Sequence, residues 1–375
     1  MTRCIPAILL VVACSGSGSS EEKPPPDELD CLSPGHICTF AGTGDRGWSD
    51  DGQQADATTL FLPTNVAFEA DGTLVIVDYN NMRVLRHESD GTLLTVVGMG
   101  IHAYASDGID ALETPLENAV SMVVGPDGTY YINEQHGARI LSVSDGWLEV
   151  YAGSPDNPGV ESWTGDGGPA REATMSQGIG LTSAPDGTLF IGDTRNHVIR
   201  MVSPDGIMDT LAGTGEERGM VDAVGLDARF DTTQHVAWHD GYVYVADTAN
   251  HAVRRIDTDT REVVTVAGGN GKGFSGDGGP AVDAQLHTPQ GVGVDSLGRV
   301  YIADSDNHVV RRIETDGTLT TFAGTPGEPD WLGDGGPASE AHLDWPMNVD
   351  VHPDGRVFIS DTLNSLIRVV IPEEG

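Results

Sequence analysis

The hexapeptide GDGGPA begins at Gly165, again at Gly276 and a third time at Gly333. It belongs to a longer period. The glycines that close each TFAG-like run, Gly42, Gly98, Gly153, Gly213, Gly268 and Gly324, are spaced 56, 55, 60, 55 and 56 residues apart. A second register agrees with the first. Asp71-Gly72, Asp127-Gly128, Asp186-Gly187, Asp240-Gly241, Leu297-Gly298 and Asp354-Gly355 each separate two apolar runs, as hairpin turns do. Six units emerge. A period of this length predicts stacked supersecondary units, none of which can bury its own faces alone.

The fifth unit shows what one repeat builds. Gly291-Val-Gly-Val is a run of small residues, and Arg299 to Asp304 alternates. His308 to Ile313 and Leu319 to Ala323 follow, each after its own turn. Four short strands per unit, with no long helical period, predict an all-β six-bladed β-propeller with four antiparallel strands per blade. The last unit, from Met347 to Ile371, supplies only three strands, whereas Ile37 to Ala41 has the sequence of a fourth strand with none before it. The N-terminal strand is therefore expected to complete the last blade, removing open sheet edges and tying the chain ends together.

The stretch PQGVGVDSLGRVYIADSDNHVVRRI resembles the NHL repeat, whose blades run P-x-G-V-A-V, G-x-V-Y-V-A-D and N-H-x-V-R-R in succession. The resemblance covers residues 37 to 371. The subtype with GDGGPA linkers is similar to the NHL propellers of many exported bacterial proteins and of the teneurin group. The second unit departs most, with Asn133-Glu134-Gln135-His136-Gly137 where the others keep an Asp and an Asn.

The chain start carries an address. Residues 1–13 read as a signal peptide, with an apolar stretch from Ile5 to Ala13 too short to span a bilayer. Val11-Val12-Ala13-Cys14 resembles a lipobox, which implies cleavage before Cys14 and lipid on that residue; Ser15 resembles the sorting pattern of outer-membrane lipoproteins. Residues 14–30 are small, acidic and Pro-rich, the composition of a flexible tether. The propeller is assigned to residues 31–375. Cys31 and Cys38, in an oxidising compartment, are expected to form a disulfide contributing roughly 2–3 kcal/mol in the chain-entropy model.

A formal charge of −37 repels phosphate polymers and anionic lipid, which opposes nucleic acid as a partner. The membrane is reached through the N-terminal lipid alone. In the GDGGPA crossovers, glycines permit positive φ, while Asp166, Asp277 and Asp334 are expected to bond the amides of their own turn. Ala170 and Ala173, Ala281 and Ala284, and Ala338 and Ala341 recur at the spacing of a single helical turn. The competing reading is Ca²⁺ on these carboxylates and carbonyls, although no unit has the alternating Asp spacing of an EF-hand loop.

His197, His251 and His308, each four residues after Asp193, Asp247 and Asp304, invite zinc, but equivalent positions on adjacent blades cannot converge on one ion. The expectation is structural: these aspartates, with Asp361, accept turn amides, Asn takes the left-handed conformation, and His packs between blades. Around the axis, the first-strand position reads Asn65, Ser121, Gly180, His235, Gly291 and Asn348, with Asp350 two residues further on. A channel-mouth metal site on Asn65, His235, Asn348 and Asp350 would resemble in kind the Asn/Asp/Glu calcium centre of gluconolactonase-like and paraoxonase-like propellers.

No nucleophile elbow, P-loop, HExxH or dinucleotide fingerprint is present in the sequence. The preferred reading is an exported, lipid-anchored, monomeric module that binds a protein or glycan at the cell envelope through the face of crossover and Asp-x-x-Asn-His loops, with no cofactor beyond a candidate Ca²⁺. The alternative is a metal-dependent hydrolase or lyase centred at the channel mouth.

Overall fold

The computed structural model describes residues 33–373 apart from 157, 160, 161 and 216, so Cys14 and Cys31 lie outside the described residues. Six antiparallel sheets form a ring, each running outward from an inner strand. The inner strands are Pro63–Phe68, Ala119–Val124, Leu181–Ser183, Thr233–His239, Pro289–Val294 and Pro346–Val351 in blades 1 to 6. In blade 5 the remaining strands are Val300–Asp304, Val309–Ile313 and Leu319–Ala323, as the repeat predicts.

Closure follows the expected route. His36–Ala41 is the outer strand of blade 6, pairing Ile37 with Val370, Cys38 with Val369 and Thr39 with Arg368. The core is divided as a ring requires: one apolar cluster fills each of the six seams between blades. The closing seam packs Ala41, Phe358 and Ile367 against Val66, Ile76 and Leu85. Thr362 Oγ1 donates to the Pro63 carbonyl across it, 2.8 Å away.

The hexapeptide turns down the outer edge of the blade that it introduces. Gly168–Pro169 pairs with the outer strand of blade 3 and Gly336–Pro337 with that of blade 6, adding a two-residue fifth strand that covers the edge. The first glycine has no substitute: φ is +93° at Gly165, +99° at Gly276 and +102° at Gly333, and a Cβ on Gly165 would sit 2.6 Å from Ala173 Cα. Pro169, Pro280 and Pro337, with φ between −57° and −60°, start the 3₁₀ turns Ala170–Glu172, Ala281–Asp283 and Ala338–Glu340. Both alanines of each pair are buried.

The aspartate of the hexapeptide acts differently from the sequence expectation. Instead of bonding its own turn, Asp166 accepts from Arg200 at 2.5 Å and from Thr210 Oγ1 at 2.7 Å, and Asp277 from Arg311 at 2.6 Å and Thr321 Oγ1 at 2.7 Å. Asp334 accepts from Arg368 at 2.6 Å. The φ > 0 glycines on either side turn the carboxylate inward, where a guanidinium is the stronger donor. Asp222, in the blade 4 crossover, where Val221-Asp222-Ala223 replaces the hexapeptide, does the same with Arg254.

Each blade has such an arginine, and all six, Arg83, Arg139, Arg200, Arg254, Arg311 and Arg368, are buried to 2% exposure or less. Each also reaches the carboxylate that ends strand two: Arg83 to Asp78 at 2.9 Å, Arg254 to Asp247 at 2.9 Å and Arg368 to Asp361 at 3.3 Å. In blades 1 and 2 the arginine comes two residues earlier in strand three; alternation keeps it on the same face. Trp48, Phe230 and Phe274 stack on Arg83, Arg254 and Arg311 with ring centroids 4.0–5.1 Å away.

Arg311→Ala leaves Asp277 and Asp304 without their cation and is expected to cost about 3–5 kcal/mol of unfolding free energy. Urea unfolding followed by circular dichroism measures it. A loss below about 1 kcal/mol would show that the bridge does not hold the crossover to the blade.

Candidate functional site

A propeller sheet turns its faces to the neighbouring blades and only its edge to the axis, so strand alternation aims the inner-strand side chains into the seams. Asn65 Oδ1 accepts the Met122 amide of blade 2 at 3.0 Å, and Ser121 Oγ donates to the Ile179 carbonyl of blade 3. At Gly180 and Gly291 the next strand comes so close that a Cβ would lie 2.7 Å from His235 Cα and from Asn348 Cα respectively. Asn348 is buried in the same layer. Of the predicted channel residues, the structure brings His235 and Asp350 together at one axial cavity; Asn65, Ser121 and Asn348 stay in the seams.

That cavity, about 250 Å³, opens where the inner strands end in the Asp-Gly hairpins, and blades 1 to 6 all contribute to its wall. His235 donates through Nδ1 to the Val292 carbonyl at 3.1 Å, since a carbonyl only accepts; Nε2 is buried and has no partner among the described residues. Burial pushes this imidazole down to about 4, so it is neutral and keeps a free Nε2 lone pair. Asp350 is enclosed by protein yet keeps some surface on the cavity; burial lifts its carboxyl to about 7, against one opposing amide bond from Val351.

Beside the mouth, a groove of about 680 Å³ runs outward between blades 1 and 2 and shares Glu69 and Ala70 with the axial cavity. Trp147, 52% exposed, and Leu112, 54% exposed, stand on one wall; Arg86, Asp71, Asp110 and Asp145 supply charge. Tyr130 donates to Glu69 across the seam, and burial with that carboxylate raises its phenol. Sequence reasoning missed this groove. The available signal was Trp147, an aromatic immediately after the turn Asp145-Gly146.

The opposite end carries the crossovers and the turns between strands two and three. There Asp193, Asp247, Asp304 and Asp361 accept an amide from the loop that precedes their own inner strand, at 2.6–2.7 Å, and the side-chain amide of the turn Asn at 2.8–2.9 Å. Burial pushes Asp193, Asp247 and Asp361 up to about 6 and Asp304 to about 7; the amides and the arginine pull the other way.

The left-handed residue is not the Asn but the one after it: His197, His251 and His308 have φ of +53° to +58°. Asn stays in the 3₁₀ turn because its amide is needed by the aspartate. The histidines do sit between blades. Their Nδ1 atoms accept the amides of Thr232, Thr288 and Trp345 at 2.9–3.2 Å, which sets the Nε2–H tautomer.

The donor set at the axial mouth does not fit a resident metal. Among the described residues no three His, Cys, Asp or Glu ligand atoms converge there, and Asn65 and Asn348 point elsewhere. The GDGGPA carboxylates are likewise engaged by arginine, the wrong neighbour for Ca²⁺.

Comparison with known proteins places residues 64–329 on the model of the SMP-30/Gluconolactonase/LRE-like region. The chain is 29% identical over 360 residues to teneurin-m of Drosophila melanogaster and 28% identical over 361 residues to mouse teneurin-3. These alignments take 85% and 84% of the chain, but it spans only 12% of the length of either relative. An auxiliary nutrient binding protein from Bacteroides thetaiotaomicron superposes with a TM-score of 0.64 at 15% identity, covering 89% of this chain and 75% of the other. A gluconolactonase from Xanthomonas campestris superposes at 0.55, also at 15% identity, covering 89% and 88%. At these identities the superpositions show a shared fold.

Asp350 provides a pH test of the cavity. Its folded value lies above the ordinary carboxyl value, so the folded chain holds the proton more tightly. Its stabilising contribution is therefore full below about pH 4 and is lost as pH rises towards about 7. Asp350→Asn is spared that loss: its stability relative to the native chain should climb between about pH 4 and 7 and then level. Urea titrations across that range measure the difference, and a flat difference would mean that the carboxyl is fully hydrated.

Proposed function

This chain belongs to the SMP-30/gluconolactonase/LRE-like family, and from that premise we propose that it is a glycan-binding module of the cell envelope, held there by lipid on Cys14. The observation that carries the reading is the groove between blades 1 and 2. It is concave, it exposes the Trp147 ring beside Leu112, and it surrounds them with Asp71, Arg86, Asp110 and Asp145. An aromatic face bordered by carboxylates and a guanidinium suits a sugar ring, which has apolar C–H faces and a rim of hydroxyls. The net charge of −37 favours a neutral or basic ligand over an acidic one.

The anchor, the tether of residues 14–30 and the Cys31–Cys38 disulfide belong to the same proposal, as does action by a single copy. The auxiliary nutrient binding protein that shares this fold supports a capture role. The loops of the opposite end, expected from the sequence to present the partner surface, are largely committed to holding blades together. The proposed site is therefore the Asp-Gly hairpin end.

A second reading, hydrolysis at the axial mouth, rests on Asp350 at about 7 and His235 at about 4 bordering one cavity. It would have to proceed on these two groups, because the residues there do not assemble a metal ligand set. A lactone-hydrolysis assay with Asp350→Asn tests it: no turnover above background by the native chain removes this reading.

Glycan-array screening followed by calorimetry tests the first. Trp147→Ala should weaken the captured oligosaccharide by at least about tenfold, the effect of losing a central aromatic anchor. The melting temperature should stay put, since the ring is half exposed. Unaltered affinity in the variant would exclude the groove as the binding site.

A further inference from the structure

Blade 2 departs from the repeat where the other blades resemble one another most, and the departure assembles a ligand set at the crossover end, across the ring from the groove. His102 lies in the crossover, where a parallel bridge to Leu116 fixes its backbone. Glu117 directly precedes the left-handed residue Asn118 that leads into the inner strand, and His136 lies in the turn between strands two and three. Glu117 Oε1 sits 3.1 Å from His102 Nε2 and 3.2 Å from His136 Nδ1, and the three ligand atoms all lie within 4.8 Å of one another. Among the described residues, no other group of three His, Cys, Asp or Glu converges in this way.

The spacing suits a metal. Ligands about 2.0–2.2 Å from a tetrahedral zinc ion stand about 3.4 Å from each other. The proton count points the same way. Asn118 Oδ1 lies 2.6 Å from His102 Nε2, the nitrogen that also faces Glu117 Oε1. A neutral imidazole nitrogen has at most one hydrogen for these two oxygens, so one of them is left for another donor or a cation. The loop that carries this carboxylate is held from behind, because Glu134 Oε1 accepts the Glu117 backbone amide at 3.2 Å, as the repeat Asp does in the other blades. His102 and His136 are about half exposed and Glu117 is mostly covered, so the site is open to solvent on one side.

The other blades show the difference. Arg46 in blade 1 and Lys272 in blade 5 occupy the register of His102, each bridged to the corresponding leucine, and put a fixed positive charge there. The register of His136 reads Asn80, Arg195, Ala249, Asp306 and Leu363. The objection to zinc on the repeat histidines, that one His per blade cannot share an ion, does not apply where two come from a single blade.

We infer that His102, Glu117 and His136 form a zinc-binding site on the crossover end of blade 2, with one coordination position open to solvent or to a partner's donor. Two imidazoles and a carboxylate suit a borderline-soft cation better than Ca²⁺, which takes six or more oxygens. The site is independent of the proposed glycan groove.

Calorimetric titration of the chelator-treated intact chain with zinc chloride tests this. The native chain should bind one equivalent that His102→Ala and His136→Ala each weaken by at least about tenfold, a loss that even outer partners of metal ligands cause. His342→Ala, at another His–Glu pair, whose atoms are 3.5 Å apart, should leave that equivalent unchanged. Circular dichroism of each variant confirms that the ring is folded. Zinc binding by the folded His102→Ala/His136→Ala double variant equal to that of the native chain would overturn the assignment.

Discussion

A buried guanidinium holds every blade of this molecule, set between two carboxylates in five blades and between Glu134 and the Ala105 carbonyl in blade 2. In blades 3 and 5 it joins the crossover aspartate, 34 residues earlier in the chain, to the end of strand two and the middle of strand three at one end of the blade. Burying an ion costs several kcal/mol unless its hydrogen-bonding capacity is met, and here carboxylates, crossover carbonyls and stacked rings meet much of it. The requirement is strict where the hexapeptide GDGGPA recurs unaltered, in the crossovers into blades 3, 5 and 6. Its aspartate must reach the arginine, its first glycine must pass against the alanine eight residues on, and its proline must restart the chain.

With the blades held in that way, the two ends of the ring are free to differ. At the crossover end, polar groups mostly bind one blade to the next: His197, His251 and His308 accept amides across three seams, and Ser365 Oγ accepts the Leu62 amide at 3.4 Å across the closing one. At the hairpin end, Tyr130 donates to Glu69 and the Trp238 amide to Thr182 Oγ1 across two seams. The cavity and groove open there because short Asp-Gly turns leave the inner strand ends uncovered. Blade 2 contributes to both ends, with Trp147 and Tyr130 at one and His102, Glu117 and His136 at the other.

Much of this was legible in the repeat. Strand positions, six blades, closure by His36–Ala41 and the single helical turns at the alanine pairs follow from periodicity, because a unit that must pack identically against two neighbours repeats its pattern. The structural part of the His reading was also legible, since a residue repeated with the blade serves the blade. The donors to the crossover aspartates were not, because an Asp flanked by glycines looks the same whether it bonds its own turn or a guanidinium 34 residues later.

By itself, the sequence determined the architecture and its closure, since short-range alternation and a fixed period leave a repeated four-stranded sheet no other way to bury two faces. Only the tertiary structure decided which side chains share a space. Asn65 and Asn348 looked like channel residues until the direction of the sheet faces sent them into the seams, while His235 and Asp350 came to share a cavity from different blades. Alternation along a strand specifies which side of its own sheet a residue occupies; what stands opposite depends on how neighbouring sheets are rotated about the axis, and that angle arises only when the ring closes.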